Sequence, residues 1–448
     1  MQKPAADDRS TGSLCPSQAR RCITEDPKWS LTTVPHLTEL CLQHIIHNFE
    51  KNPILDRLLP EHQRKVLDGL STGLPLAVTA DLVNDEEYWK RCCIERWEVC
   101  DISSYGDSWK RMFFERHLEN ILKCFIPNIT DPNQVLELIP LCKGYVRKLE
   151  IDQFLPPVQV GQKEERDGQS GPESDSEFGE VSTHHYDLGV LITALPHLEE
   201  LHLTYGLKNC GMNFEWNLFN FTHQDCCNLA AAVKLCHSLK VLKLTQSNVD
   251  DDKTRLLVHN LLDHPCLVEL NLSHNLIRDK GAQALGELIN RSRLETLDLG
   301  NNQICHLGAE ALAKALTENS TLTSLNLRLN CVGDKGGEVI GRALLTNTTL
   351  KFIHLGSNSL SEPTTVLFSQ VLAQNTTLKG INFSCNHLGL GGGKQLLEGL
   401  VGNKALTELD LRQAEVDQET EYLIHQLVWA NREVARLGSL QHPTTKPL

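Results

Sequence analysis

The glycine run between residues 389 and 393 is the part of this chain that most resembles a site for chemistry. Gly389, Gly391, Gly392 and Gly393 precede Lys394, and glycine-rich turns that end in lysine can bind phosphate groups. The phosphate-binding motif also requires glycine at position 388 and serine or threonine at position 395, where this chain has leucine and glutamine. We therefore predict that this turn binds no nucleotide.

The cysteine and histidine residues lack the spacing that metal binding requires. The sequence has no Cys-x-x-Cys pair and no His-Glu-x-x-His motif, and its close histidine pairs are His44 with His47 and His184 with His185. Zinc sites need three or four such ligands at suitable intervals. We expect no metal, no cofactor and no catalytic residue, so the chain is predicted not to be an enzyme.

Any binding side chains must therefore be positioned by the elements that a repeated apolar pattern predicts. Each copy has a leucine, two further residues, an aliphatic residue, one residue and another apolar residue, usually with asparagine three residues later. The copies are spaced by 27 or 28 residues, and a period held this closely is typical of stacked leucine-rich repeats. They begin at Leu239, Leu267, Leu294, Leu322, Leu350, Leu378 and Leu406.

The second half of each repeat predicts a helix, because leucines such as Leu285 and Leu288 recur at helical spacing. Paired strands lie about 4.8 Å apart, whereas packed helix axes need about 8–10 Å, so a stack of such repeats must bend. The predicted fold is an α/β leucine-rich-repeat horseshoe solenoid, with strands on the concave face and helices on the convex face. An N-terminal helical domain is predicted to precede it.

The asparagines that follow the strands are predicted to satisfy backbone groups of the turns, so their role is structural. These residues are Asn275, Asn302, Asn330, Asn358 and Asn386. The sequons at Asn347 and Asn375 are predicted to be helix-end residues.

The polar residues that alternate with the apolar strand positions should line the concave face and bind a protein partner. Such a face is preformed, so binding there loses little conformational entropy, and its mixed charge favours a protein over a polyanion. These residues are Glu200, His202, Lys243, Glu269, Asn271, Asp298, Asn326, Arg328, Phe352, His354, Asn382, Glu408, Asp410 and Arg412.

Composition and periodicity divide the chain into regions. The N-terminal region has no apolar period. The acidic stretch cannot bury apolar surface and is predicted to be a mobile loop. The last helix should close the final repeat. The predicted regions are a disordered tail at 1–30, a helical domain at 31–140, the solenoid at 141–416 with an acidic loop at 161–180 and an insertion at 205–220, a capping helix at 417–437, and a tail at 438–448.

The capping helix is predicted to cover the last repeat with one apolar face. That face contains Leu423, Leu427, Ala430, Val434 and Leu437, at alternating spacings of four and three residues. A helix with this spacing presents one continuous apolar stripe.

Charge and cysteine content limit the partners and the compartment. Lys and Arg total 43 against 57 Asp and Glu, and the net charge of -14 opposes binding to nucleic acid or to anionic membranes. The first ten residues contain no signal-peptide core, so an intracellular protein is expected. Cys266, Cys331 and Cys385 fall inside repeats and are predicted to be buried free thiols.

Two motifs in the predicted helical domain carry a family resemblance. Trp-Lys-Arg at 89–91 is echoed by Trp-Lys-Arg-Met-Phe-Phe-Glu-Arg-His at 109–117, which suggests two similar amphipathic helices with core tryptophans. Together with the acidic loop and the repeats, these motifs resemble the T-complex-associated testis-expressed family, which provides subunit 5 of the dynein regulatory complex. The resemblance extends over essentially the whole chain.

The resemblance implies a non-enzymatic scaffold in the nexin link of motile cilia and sperm flagella, where the family helps to control dynein-driven bending. It implies a location in the cytoskeleton of the ciliary axoneme and no catalytic residues. Because tubulin surfaces are acidic, we expect a chain of net charge -14 to be held by sibling subunits rather than by the microtubule.

Other functions stay open. Leu37, Cys41 and Ile45 have the spacing of the helix by which ubiquitin-ligase substrate receptors bind elongin, although His36 stands where that motif prefers a small residue and a core helix has the same spacing. A leucine-rich-repeat activator of a small GTPase could use Arg328 or Arg412 at the solenoid rim. An inhibitor that clamps an enzyme, as ribonuclease inhibitor does, would need a longer horseshoe.

Overall fold

The computed structural model describes residues 36–127, 129–155, 185–208, 212 and 221–441, and the backbone of 20–21 and 33–34. Side chains of 438–441 are not described. Most of the predicted tail at 1–30, the acidic loop at 161–180, most of the insertion at 205–220 and residues 442–448 therefore lie outside the described residues. The chain divides into two compact units, 1–113 and 114–448, and the domain boundaries drawn from the sequence stay predictions.

The first unit is helical. Its elements are a short antiparallel pair, β1 (Arg20–Arg21) and β2 (Thr33–Val34), then α1 (Leu37–His47), α2 (Pro60–Gly69), α3 (Leu76–Leu82), α4 (Glu86–Arg96) and the start of α5 (Trp109–Lys123).

Aromatic side chains form the core of this first unit. The indole of Trp89 is fully buried, donates a hydrogen bond to the carbonyl of Val83 at 2.8 Å and lies 5.0 Å from the ring of Phe113. Asp85 begins α4 by accepting the N–H of Tyr88 at 2.8 Å. The interpretation of Trp89 as a core residue is confirmed.

The second unit is one parallel sheet of nine strands, each paired with the next in chain order and followed by a helix. The leucine-rich-repeat α/β fold is therefore confirmed. The elements are α6 (Asn133–Cys142), β3 (Lys148–Ile151), α7 (Leu188–Ala194), β4 (Glu200–Leu203), α8 (His223–Leu235), β5 (Val241–Leu244), α9 (Asp251–Leu261), β6 (Glu269–Asn271), α10 (Asp279–Arg291), β7 (Thr296–Asp298), α11 (His306–Glu318), β8 (Ser324–Asn326), α12 (Gly333–Leu344), β9 (Phe352–His354), α13 (Glu362–Gln374), β10 (Gly380–Asn382), α14 (Gly389–Leu400), β11 (Glu408–Asp410) and α15 (Gln418–Gln441).

Asparagine side chains tie each repeat to the next. The amide of Asn330 donates to the carbonyls of Leu299 at 2.9 Å and Leu327 at 3.0 Å, and its oxygen accepts the N–H of Ile304 at 3.0 Å. The equivalent asparagines also donate to a carbonyl of the preceding repeat and accept a backbone N–H group. Their predicted structural role is therefore confirmed.

A second asparagine series lies where the helices end. Asn375 is the C-terminal cap of α13, and its amide donates to the carbonyls of Leu344 and Asn347 at 2.8 and 3.0 Å. Asn403 donates in the same way to Leu372 at 2.7 Å. Asn347 and Asn375 are 4% and 8% exposed, as expected for helix-end residues and not for glycosylation acceptors.

Carboxylates on the helical side join neighbouring repeats. Asp279 in α10 accepts the N–H groups of Cys305 at 2.8 Å and Gly308 at 2.9 Å at the start of α11. A Cβ atom at position 308 would lie 2.7 Å from this carboxylate oxygen. Glycine is required at position 308 because the preceding repeat supplies the helix cap there.

Carboxylates from α5 close the β3 edge of the sheet. Glu115 is fully buried and accepts the N–H groups of Arg147 at 2.7 Å and Lys148 at 3.0 Å. One helical turn later, Glu119 accepts the N–H of Glu150 at 2.7 Å. Burial raises the pKa of Glu119 to about 7.

The β11 edge is closed by α15, but not with the predicted face. Ile424 and Val428 are the buried apolar residues of its described part, whereas Leu423, Val434 and Leu437 are 43%, 69% and 53% exposed. The predicted stripe of Leu423, Leu427, Ala430, Val434 and Leu437 is therefore wrong as the packing face.

Two hydrogen bonds from Asn431 set the rotation of α15 about its own axis. The amide of Asn431 donates to the carbonyls of Asn403 and Leu406, both at 3.0 Å. This orients the helix so that the face of Asn431, Ile424 and Val428 meets the last repeat, and the predicted stripe points elsewhere.

The prediction for three repeat cysteines was half right. Cys266, Cys331 and Cys385 are free thiols, but all three are exposed. They lie in turns, outside the apolar positions of the repeat, so burial was the wrong expectation. Among the described residues, no helix is long and apolar enough to span a membrane.

Candidate functional site

Three rows of side chains line the face of the sheet opposite its leucine core, and we call this the open face. The first and second rows come from the first and third residues of the three-residue strand segment, and strand register aligns them from β3 to β11. The third row lies two residues further on. All the side chains predicted for partner binding lie in these rows: Glu200, Glu269, Phe352 and Glu408 in the first; His202, Lys243, Asn271, Asp298, Asn326, His354, Asn382 and Asp410 in the second; Arg328 and Arg412 in the third.

Ion pairs occupy the N-terminal end of the open face. Lys148 pairs with Glu150 at 3.2 Å, and Lys243 pairs with Glu269 at 2.9 Å. His202 lies between these pairs, and burial, together with the two lysines, lowers its pKa to about 4. The imidazole is therefore neutral at physiological pH.

The middle of the second row is held by its own hydrogen bonds. Asp298 accepts the amide N–H groups of Asn326 at 2.9 Å and Asn271 at 3.4 Å, and it also accepts the backbone N–H of Gly300 at 2.9 Å. Because these polar groups already have partners, a bound protein would gain less from contacting them.

Arg328 differs from its neighbours in the third row. Its flanking positions in that row are Gly300 and Gly356, so the side chain stands above a surface with no neighbouring side chains at that level. It is exposed, and its guanidinium has no ion pair among the described residues. Arg412 instead donates to both carboxylate oxygens of Asp410, at 2.9 and 2.6 Å.

A cavity of about 330 Å³, which we call the terminal cavity, opens between the last three strands and α15. Its strand wall includes Phe352, Asn382, Glu408 and Asp410, and its helix wall includes His425 and Arg432. The carboxylate of Asp410 is occupied by Arg412 and, at 3.0 Å, by Asn382. The hydrogen bonds from Arg412 and Asn382 hold the pKa of Asp410 below its usual value.

The prediction of no catalytic residue overlooked one sequence motif. Residues 69–73, Gly-Leu-Ser-Thr-Gly, match the Gly-x-Ser-x-Gly pattern of hydrolase nucleophiles. That nucleophile sits between a strand and a helix, but here Ser71 follows α2 and precedes α3. Its hydroxyl is exposed and accepts the N–H of Gly73 at 3.2 Å. The motif is therefore a turn between helices, without the required geometry.

The residues with elongin-like spacing are largely on the surface. Leu37 is 76% exposed, Cys41 is exposed and Ile45 is half-buried, whereas Leu42 is the buried residue of α1. Burial in the core therefore does not explain the apolar character of Leu37. In the described part of the chain, no group of three or more His, Cys, Asp or Glu side chains could hold a metal ion.

Comparison with known proteins agrees with the repeat architecture. Four segments match a family model described as Leucine Rich repeat: residues 263–286, 293–313, 318–341 and 374–397. The proteins named dynein regulatory complex subunit 5 are relatives. The chain is 60% identical to the one from Macaca fascicularis over 305 residues, which cover 68% of this chain and 61% of the relative.

Two further relatives with this name extend the comparison. The Mus musculus protein is 60% identical over 265 residues, covering 59% of this chain and 53% of the relative, and the Chlamydomonas reinhardtii protein is 31% identical over 221 residues, covering 49% and 50%. The matched part of the chain thus spans between half and about three fifths of these relatives. The chain is a leucine-rich-repeat protein and a homologue of the proteins named dynein regulatory complex subunit 5.

Proposed function

We propose that the chain is a non-enzymatic scaffold subunit of the nexin-dynein regulatory complex in the axoneme of cilia and flagella. There it would assemble with sibling subunits and help to regulate dynein-driven motility, including that of sperm flagella. The observation that carries this proposal is the 60% identity to relatives named as a subunit of that complex.

The open face is the surface that we assign to partner binding. Its side chains project from a continuous hydrogen-bonded sheet, so they are held in place before a partner arrives, and little conformational entropy is lost on binding. Both acidic and basic groups lie on it, as in the pair of Lys243 and Glu269. A face with charges of both signs gives specificity for a complementary protein surface.

Net charge supports a protein partner other than tubulin. A chain with a net charge of -14 is repelled by acidic surfaces at long range, and this includes tubulin, nucleic acid and anionic lipid. We therefore assign the contacts of this chain to sibling subunits.

The ubiquitin-ligase alternative has no support from the relatives. The four relatives that match about half of this chain or more are all named dynein regulatory complex subunit 5. The exposure of Leu37 and Cys41 leaves an apolar helical surface, but His36 still occupies the small-residue position of the elongin-binding motif. We do not carry that function forward.

Expression of the tagged chain in cells that build motile cilia tests the proposal. We expect it in the salt-extracted axonemal fraction, purifying with other subunits of the regulatory complex. Arg328→Glu should reduce that recovery, whereas Arg255→Glu, on the exposed side of α9, should not. Absence from axonemes, or strong cosedimentation of the purified chain with bare microtubules at physiological salt, would contradict the proposal.

A further inference from the structure

The terminal cavity places an aromatic ring beside a carboxylate. Phe352, Gly380 and Glu408 are cross-strand neighbours in the first row. A Cβ atom at position 380 would lie 2.6 Å from Cδ1 of Phe352 and 3.5 Å from Cβ of Glu408. The ring therefore lies over the glycine, in the space between the two flanking strands. Because position 380 has no side chain, the ring and the carboxylate face the same space.

Glu408 is the carboxylate on the strand wall that has no counter-charge. Asp410 is bound by Arg412 and Asn382, whereas Glu408 is exposed and its carboxylate has no hydrogen bond or ion pair within the described ranges. The basic groups of the cavity lie on the helix wall. There, His425 is 3.7 Å from Glu421, and Arg432 forms no described ion pair with Glu408.

We propose that the terminal cavity binds an arginine side chain of a partner protein. The guanidinium would stack on Phe352 and donate hydrogen bonds to the carboxylate of Glu408. A guanidinium is planar, stacks on aromatic rings and forms paired hydrogen bonds with carboxylates, whereas a lysine ammonium offers only a point charge. The cavity volume of about 330 Å³ suits one long side chain. This inference rests on the partner-binding role proposed for the open face.

Short blocked peptides test the arginine specificity directly. Gly-Arg-Gly, Gly-Lys-Gly and Gly-citrulline-Gly would be titrated into the full chain and followed by saturation-transfer NMR. Citrulline keeps the planar group of arginine but has no charge, so it should bind about tenfold more weakly. Phe352→Leu, which keeps apolar bulk but removes the ring, should weaken arginine binding about fivefold.

Glu408→Gln has a matched control outside the open face. We expect Glu408→Gln to weaken arginine binding about tenfold, whereas Glu310→Gln, which removes the same charge from the exposed side of α11, should leave it unchanged. Thermal melting of each variant establishes that it is folded. Equal effects of the two glutamine variants, or equal binding of arginine and citrulline peptides, would overturn the inference.

Failure of this inference is distinguishable from failure of the proposed function. If the arginine peptide does not bind but the chain still purifies with the regulatory complex, the cavity assignment alone is wrong. If the peptide binds as expected but the chain is absent from axonemes, the axonemal role is wrong and the arginine site stands.

Discussion

The two edges of the nine-stranded sheet are closed by different chemistry. At the β3 edge, the buried carboxylates of Glu115 and Glu119 accept backbone N–H groups of the edge region. At the β11 edge, Ile424 and Val428 are buried and Asn431 donates amide hydrogen bonds. An unpaired sheet edge is open to association with other chains, and both solutions prevent this.

The difference between the edges concerns ionisation. A carboxylate that is buried to accept backbone hydrogen bonds changes its protonation with pH, so the stability of the β3 edge is linked to pH. The apolar and amide groups from α15 do not titrate. Repeats of a solenoid contact mainly their neighbours, so each edge can be perturbed separately.

Replacing Glu115 should give the largest effect. Glu115→Ala leaves the N–H groups of Arg147 and Lys148 without their acceptor, and each buried orphan costs about 1–3 kcal/mol. We expect the free energy of unfolding to fall by about 4 kcal/mol, measured by urea unfolding. Glu115→Gln keeps an acceptor oxygen and should lose much less. Equal losses in both variants would show that the acceptor is not what matters.

At the opposite edge, Ile424→Ala should cost about 3 kcal/mol, because it leaves a cavity under α15. Its neighbour Leu423 is 43% exposed, so Leu423→Ala is the matched control and should cost less than about 1 kcal/mol. Urea unfolding and hydrogen exchange in β11 measure the difference. If the two alanine variants were equally destabilised, the rotation of α15 described above would be wrong.

Glu119→Gln should remove a pH dependence from the β3 edge. The folded pKa of about 7 lies above the ordinary value of 4.5, so the stability that this group contributes is complete below about pH 4.5 and is lost as pH rises through about 7. The amide can still accept the N–H of Glu150, and it has no charge to desolvate. At pH 8 the variant should be more stable by about 2 kcal/mol.

Urea unfolding between pH 5 and pH 8 measures this slope. Lys123 lies 4.0 Å from Glu119, and loss of this ion pair offsets part of the gain. A wild-type slope that persists unchanged in Glu119→Gln would assign the pH dependence to another group.

Asn431→Ala should cost about 1 kcal/mol, because the carbonyls of Asn403 and Leu406 lose an amide donor. Asn260→Ala provides a control, since the amide of Asn260 donates at 2.9 Å to Leu256 within its own helix. Hydrogen exchange across α15 should accelerate in the first variant and not in the second. If hydrogen exchange accelerated in neither variant, the hydrogen bonds of Asn431 would not be what holds α15 at this edge.

Val434→Ser should have the smallest effect, within about 0.5 kcal/mol, because the side chain is 69% exposed. Thermal melting of the purified chain is sufficient to measure it. A loss of several degrees would mean that the stripe predicted from the sequence does pack against the protein.

The repeat interior could be predicted from sequence because every repeat has the same environment. The leucine positions, the strand and helix order and the structural asparagines such as Asn330 all follow from one period of about 28 residues. The open-face residues follow too, since strand side chains alternate between two faces. Their binding of a partner stays a prediction.

The ends could not be predicted in the same way. Acidic residues in a helix are usually on the surface, so Glu115 and Glu119 gave no sign of burial beyond their spacing of four residues. In α15, five apolar residues at regular spacing indicated the wrong face, because a hydrogen bond from Asn431 orients the helix. The period also cannot show which open-face groups, such as Asp298, are already hydrogen-bonded across strands.

Asn431 follows Asn403 by 28 residues, as Asn403 follows Asn375. The capping helix α15 thus resembles the helix of a repeat that continues past the point where the other repeat helices stop. Asn431 donates to the carbonyl of Asn403, 28 residues before it, as Asn375 donates to the carbonyl of Asn347. A contact of this kind depends only on the repeat next to α15, so adding or removing a whole repeat elsewhere in the stack would leave it unchanged.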